Sequence, residues 1–578
     1  MTTKYNESLV SRTRGLDMVG VKPSKHDMRA SVGVQILDVL QEFGVDTIFG
    51  IPGGAISPIY GGLLQRPGIR AITAKHETGA VFLAMGHAMA TGGLGVVVTT
   101  SGPGMTNALT GLASAFYEDI PILVIAGEVP TTAFGRHALQ AGSASEFDAV
   151  ALAHKCTKFA AQVVRADSAA ALVHKAIRIS LSGRRGPSFL SLPLNISGAV
   201  TARPPIGGRV NVSFDIDPAG CRRAMTLLVD AKRPLILAGS GCRSSAGRAA
   251  LLRLAEATGA SVAVSPKGKS VFPEDHALYL GVFGFGGHES VIQYLKDGVD
   301  VLLVCGSSLS DFSTNAWSPL LAASTAFLQI DIDAAQLGNN YAIDLGLLGP
   351  VDMVVEKMLE HVAPPRRRAA PPHSGVITQT PRSSPNQALT SPEVVLTMNE
   401  VCPADAVYIS DLGEHLSIAL HYLKVGRRGS FMTCLGFASM GSGVCSAIGY
   451  QMADRSRRVY TITGDGCFLM YGSELATAAQ HRVPVTIVII NDSRLNMCAL
   501  GFRDQFGASP DLSTQIIDFA QVARGMGATA YLVRTHKELV AALGAPADGP
   551  VVLDVRIDPD IRLEGSQRTA ALVQFRTT

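Results

Sequence analysis

A chain of 578 residues has material for about four average domains, or for three of about 170 to 190 residues. With 47% hydrophobic and only 17% charged side chains, below the roughly 25% of an average soluble chain, it is expected to bury surface between domains or subunits and so to form an oligomer. A net charge of +3 without a basic stripe excludes a nucleic-acid partner, nine cysteines without a CxxC pair argue against a zinc site or disulfide framework, and no apolar run approaches the roughly 18 residues of a membrane span.

The first 30 residues are polar and mixed in charge, lack the apolar core of a signal peptide, and read as an N-terminal extension of a cytoplasmic protein. From Ser31 onward apolar strands alternate with helical patterns, the signature of βαβ units and a mainly parallel sheet. "SVGVQILDVLQEFGV" predicts a helix. "TIFGIPGG", "IRAITAKHE", "GVVVTTSGPG" and "PILVIAGE" predict strands running into loops, with helices over 78–90 and 106–116 between them. The first α/β domain is thus expected over 31–200. A second series starts at "RPLILAGSGC", continues through "GVDVLLVCGSSLSD" and "TAFLQIDID", and fades near Val362, making a middle domain over 201–363. Residues 364–390, rich in Pro, Ser, Thr and Arg and including the basic run Arg366–Arg368, read as an exposed linker. The third domain, 391–578 with a C-terminal tail, repeats the pattern in "AVYISD", "RRVYTITGDG", "VTIVIINDS" and "PVVLDVRI". The fold class is therefore α/β, three successive doubly wound domains.

In the third domain Gly464-Asp465-Gly466 ends one predicted strand and Asn491-Asp492 ends the next, with 26 residues separating Asp465 from Asp492. Both acids then lie at the carboxyl edge of one sheet, where open α/β sheets bind ligands. Two oxygen donors there suit Mg²⁺, and Gly464 and Gly466 let the backbone approach a diphosphate. A lone GDG is a common turn, so the spacing carries the argument.

This segment resembles the metal motif of the thiamine diphosphate enzymes, with Asp492 where the second Asn of that motif usually stands. The resemblance implies thiamine diphosphate and Mg²⁺ as cofactors, with Asp465, Asp492 and the backbone carbonyl of Arg494 as protein ligands and with Cys467 beside the diphosphate. "AKHETGAVFLAMGHAMATG" resembles the activating-glutamate segment of the same family. It implies that Glu77 hydrogen-bonds N1′ of the aminopyrimidine and so promotes loss of the thiazolium C2 proton. By itself a Glu at a helix start is ordinary capping. "LGFASMGSGVCSAIGY" resembles the acetolactate synthase segment in which a large apolar side chain, here Met440, wedges under the bent cofactor and Ala438 supplies a carbonyl; alone, Met440 reads as core filling. The loop "SDLGEHLS" puts Glu414 and His415 near the diphosphate, His415 being the better partner for it. Gly53 and Met497 complete the implied cofactor contacts, and Gly54, Thr100, Gln140 and Gly501 the substrate pocket. "FGIPGGAISP" and "TTSGPGMTNALTGLASAFYEDIPILVIAGEVP" are similar to acetolactate synthases, and the resemblance runs from about residue 31 to 560.

Departures from that family fall on the substrate side. Leu194 and Leu139 replace a Lys and a Phe, Gly501 stands in place of a pocket Trp, and Phe312 in place of an Arg expected to contact FAD, so flavin binding is doubtful. Gly54 and Ala55, and Thr100, stand where benzoylformate decarboxylases carry Ser and His. Fewer acids over the cofactor favour carboligation over aldehyde release; His76, His137 and His288 read as surface or packing residues with a proton-donor alternative. The expected activity is decarboxylation of a pyruvate-like 2-oxo acid with transfer of the acyl unit to an acceptor carbonyl. The alternatives are a non-ligating 2-oxo acid decarboxylase and a catalytically silent family member. The resemblance also implies a homodimer or homotetramer, with active sites at the subunit interface.

Overall fold

Runs such as GVVVT and VLLVC are apolar at every position, so a strand made from them must be covered on both faces, the situation of a central strand in a parallel sheet. The computed structural model describes residues 29–202, 213–361, 388–546, 548–558 and 560, and contains three six-stranded sheets whose paired neighbours all run parallel. The first uses β2 (Thr47–Gly50), β3 (Arg70–Thr73), β4 (Gly95–Thr99), β5 (Ile122–Glu128), β6 (Phe159–Gln162) and β7 (Ser188–Pro193) in the order β3-β2-β4-β5-β7-β6. It is tied off by β1 (Arg29–Ser31) and β8 (Val200–Ala202), which pair antiparallel. The second joins β9 (Pro234–Ala238), β10 (Ser261–Val264), β11 (Tyr279–Val282), β12 (Val301–Cys305), β13 (Ala326–Asp331) and β14 (Leu345–Leu348) in the order β11-β10-β9-β12-β13-β14. The third joins β15 (Val407–Ser410), β16 (Ser430–Thr433), β17 (Val459–Gly464), β18 (Thr486–Asn491), β19 (Thr529–Val533) and β20 (Val551–Arg556) in the order β16-β15-β17-β18-β20-β19. The first and third sheets therefore share one winding, and the middle sheet has another.

Local chemistry sets the helix limits. The first helix spans Val32–Glu42, ending before the predicted Val45 because Gly44 turns the chain at φ +80°. The helices expected over 78–90 and 106–116 run over Glu77–Thr91 and Pro103–Tyr117; the second starts early because Gly102, at φ +59°, reverses the chain and Pro103 takes the first helical position. The expected extension lies outside the described residues except for Arg29 and Ala30, as does the expected linker except for 388–390.

The first and third domains of one chain share a core. The Glu77–Thr91 helix lies against the Ser442–Ala453 helix so closely that a Cβ at Gly86 would collide with the Ser446 backbone carbonyl, and one at Gly449 with that of Leu83. Glu474, fully buried, accepts hydrogen bonds from the Lys75 and His76 amides at 2.8 and 3.0 Å. This carboxylate fixes the chain just ahead of Glu77 to the third domain.

Candidate active site

β17 and β18 are adjacent, so Asp465 and Asp492 each directly follow the carboxyl end of neighbouring strands. A cavity of about 260 Å³ opens there. Its lining includes Glu414, His415, Ala438, Met440, Gly464, Asp465, Gly466, Cys467, Asp492, Arg494 and Met497, which brings together eleven of the residues singled out in the sequence. Phe285 and Phe312 of the middle domain also line it.

Asp465 is 5% exposed, opens the Asp465–Tyr471 helix and accepts from the Thr514 hydroxyl at 3.2 Å. Burial raises its pKa. Burial, then the charge of Asp465, pushes Asp492 up to about 7. Two carboxylates in this state fit a hard divalent cation, which would cancel the repulsion. Among the described residues no cluster of three or more His, Cys, Asp or Glu could hold a metal by itself. That donor set matches Mg²⁺, which is usually bound through one or two carboxylates plus phosphate oxygens rather than in an all-protein cage.

The glycines leave room for a phosphate chain. A Cβ at Gly464 would lie 3.3 Å from the His415 ring, and one at Gly466 would lie 3.0 Å from Leu495 and 3.3 Å from Met440. The His415 ring is buried, its pKa is lowered to about 4 by burial, and its Nε2 has no hydrogen-bond partner among the described residues. A neutral imidazole with a free ring nitrogen beside a glycine strip fits a phosphate oxygen. The Cys467 thiol donates to the Leu412 carbonyl at 2.9 Å, and the Arg494 amide to Asp492 at 3.1 Å. Ala438 is held at φ +59°, a conformation that costs a non-glycine residue roughly 1 to 3 kcal/mol and persists only where neighbours impose it.

The neighbour that shapes this loop, Asp411, was not singled out from the sequence. It is fully buried, and its carboxylate accepts from the amides of Leu412 and Gly441, both at 2.9 Å, and from the Thr463 hydroxyl at 3.2 Å. One side chain thus joins the β15 loop, the residue after Met440, and β17. Burial pushes its pKa up to about 6, against the lowering effect of those amides.

The remaining predicted residues do not line this cavity. Glu77, 7% exposed, accepts from the Asn107 amide at 3.0 Å. A Cβ at Gly104 would lie 2.9 Å from Thr100 and 3.5 Å from Glu77; one at Gly53 would lie 2.6 Å from Thr100, and one at Gly102 2.9 Å from Gln140. Glu77, Thr100, Gly53 and Gln140 therefore gather at the carboxyl edge of the first sheet. Gln140 sits at φ +62°. A Cβ at Gly54 or at Gly501 meets nothing within 4 Å. Of the three histidines, His76 caps its helix by accepting from the Thr78 amide, His137 is exposed, and His288 is stacked on His421.

Three family models match the chain: the thiamine pyrophosphate enzyme N-terminal TPP binding domain over 30–152, the central domain over 221–358, and the C-terminal TPP binding domain over 411–555. The acetolactate synthase large subunit of Parasynechococcus marenigrum (strain WH8102) is 30% identical over 571 residues, covering 94% of this chain and 90% of its own. The probable acetolactate synthase large subunit of Methanocaldococcus jannaschii is 31% identical over 91% of each chain, and the isozyme 2 large subunit of Escherichia coli (strain K12) 29% identical over 90% and 95%. Among solved structures, the thiamine diphosphate-dependent 4-hydroxybenzoylformate decarboxylase of Rhodococcus jostii RHA1 superposes with a TM-score of 0.81 over 92% of this chain and 99% of its own; at 24% identity it speaks to the fold.

Proposed function

The chain belongs to the thiamine pyrophosphate enzyme family, in its acetolactate synthase-like branch, and from that premise we propose that it decarboxylates a 2-oxo acid and joins the acyl unit to an acceptor carbonyl. The observation that carries the reading is the pair of carboxylates, Asp465 buried and Asp492 half-buried, on adjacent strand ends in a cavity floored by glycine. Thiamine diphosphate, held with Mg²⁺, supplies the electron sink that makes loss of CO₂ from a 2-oxo acid feasible.

Asp465, Asp492 and the Arg494 carbonyl would hold the metal, and Gly464, Gly466, Cys467 and His415 would receive the diphosphate. Glu414, whose charge acts on Asp492, lines the same end of the cavity, with His415 the better partner for the diphosphate. Met440 would lie under the cofactor, and Ala438, held at φ +59°, would offer its carbonyl to the cofactor's amino group. Met497 packs beside them. Glu77 would offer its carboxyl group to the pyrimidine ring, with Gly53 leaving space for that ring and Gly54, Thr100 and Gln140 bordering the substrate. Glu77 does not line this cavity in its own chain, which supports a second copy bringing its first-domain edge to it. A homodimer is then the smallest active unit, and a homotetramer also satisfies the geometry.

The test is incubation of purified protein, thiamine diphosphate and Mg²⁺ with a panel of 2-oxo acids and acceptor aldehydes or 2-oxo acids, followed by mass analysis. The proposal expects CO₂ together with a carboligated hydroxyketone or 2-hydroxy-3-oxo acid. Release of free aldehyde alone, with acceptors abundant, would replace carboligation by simple decarboxylation.

A further inference from the structure

Resting on the activity proposed above, we infer that Phe285 and Phe312 form the specificity wall of the site, and that its donor is a 2-oxo acid with a bulky apolar, aromatic-sized side chain.

The charged groups of the cavity all come from the third domain. The middle domain contributes the two phenylalanine rings and, among the described residues, no polar side chain. The rings meet edge to face, with centroids 5.2 Å apart at 70°. Their backbones are joined as well, the Phe285 amide donating to the Phe312 carbonyl at 2.8 Å. Gly284, at φ +107°, makes that approach possible, since a Cβ there would collide with the same carbonyl.

The wall is also fixed against the cofactor end. Gly286 packs so tightly on the Glu414–Tyr422 helix that a Cβ would lie 2.8 Å from the Ser417 carbonyl. His288 Nδ1 accepts from the Val282 amide at 2.9 Å, which leaves Nε2–H to donate to the His421 carbonyl at 2.9 Å. His421 Nδ1 in turn donates to the Gly287 carbonyl at 3.1 Å, and the two rings stack at 4.7 Å and 17°. Burial holds His288 down to about 3, so it stays neutral and serves as a fastener rather than a proton donor. The helix fastened in this way carries Glu414 and His415, so the phenyl pair keeps a set distance from the diphosphate end.

A preformed apolar wall discriminates by contact. A methyl group would leave the rings without partner atoms, whereas an aromatic side chain continues the edge-to-face packing. One methylene in such a pocket is worth about 10- to 200-fold in kcat/KM, so a whole ring should exceed the lower figure.

The experiment compares benzoylformate with pyruvate on the complete protein with thiamine diphosphate and Mg²⁺, for wild type, Phe312→Ala and Phe312→Leu. Benzoylformate should be favoured in kcat/KM by at least about tenfold. Phe312→Ala should remove most of that preference through KM, and Phe312→Leu should keep part of it. A second readout needs no turnover: equilibrium titration should show benzoate bound more tightly than acetate by the wild type, and this difference reduced in Phe312→Ala. Equal or better use of pyruvate, or an unchanged preference in a folded Phe312→Ala protein, overturns the inference while leaving the activity intact. If no 2-oxo acid loses CO₂ although the cofactor binds, the proposed activity itself fails, and the titration still decides whether the wall selects aromatic groups.

Discussion

Replacing Asp492 by Asn separates two effects that the native residue combines. In the metal-free protein, burial first and the Asp465 charge second push the Asp492 carboxyl from its ordinary 3.8 to about 7. A carboxyl raised in the folded state penalises folding above its unfolded value; the penalty grows as pH rises from 3.8 to about 7 and is constant beyond. At pH 8 it amounts to about 2 to 4 kcal/mol, the lower figure allowing for partial exposure, and at pH 5 to less than about half of that. Asn removes the charge and keeps the shape, so metal-free Asp492→Asn protein should resist denaturant better than wild type at pH 8, with a smaller gain at pH 5. The same change should weaken Mg²⁺-dependent retention of thiamine diphosphate, because one of two carboxylate donors is lost. Denaturation at the two pH values with chelator present, and a magnesium titration of cofactor binding, read the two effects separately. A variant no more stable than wild type at pH 8 would refute the electrostatic argument.

Other outcomes follow from the same geometry. Glu77→Gln should still bind cofactor but lose about 10² or more in turnover and slow hydrogen–deuterium exchange at the cofactor C2; normal exchange in an inactive variant would assign Glu77 another role. Gly86→Ala, whose new Cβ would meet the Ser446 backbone, should cost about 3 kcal/mol or more in denaturant melts, and a change below about 1 kcal/mol would show that the helix pair has slack. With Phe312 where the resemblance implies an FAD-contacting arginine, added FAD should leave turnover unchanged. Dependence on FAD would contradict the reading of that position.

Much of this architecture was legible in the sequence because burial on both faces writes itself as continuous apolar runs. The spacing from Asp465 to Asp492 was equally readable, since one crossover helix and one strand return a parallel chain to the adjacent position. What escaped was chemistry assembled over long separations. Asp411 looks like any acidic residue after a strand, and its partners Gly441 and Thr463 lie 30 and 52 residues away. Glu474 reads as an exposed helical glutamate until its contacts to Lys75 and His76, 399 and 398 residues away, are known. Phe285 enters the site only because the middle domain docks on the Glu414–Tyr422 helix, and no local pattern announces a docking. That Glu77 of one chain serves the cavity of another is an expectation from the family resemblance alone, because a single sequence does not say which copy completes which site.

The central claim is that Glu77 of one chain and Asp465 of another act on one cofactor, and complementation between inactive chains tests it most directly. Differently tagged Glu77→Gln and Asp465→Ala chains, each inactive alone, are co-expressed and the heterodimers purified through both tags. The account predicts that activity returns, because each heterodimer holds one site with both residues native and one site lacking both. Verified heterodimers that remain fully inactive would place the two residues of a site on one chain and contradict the account.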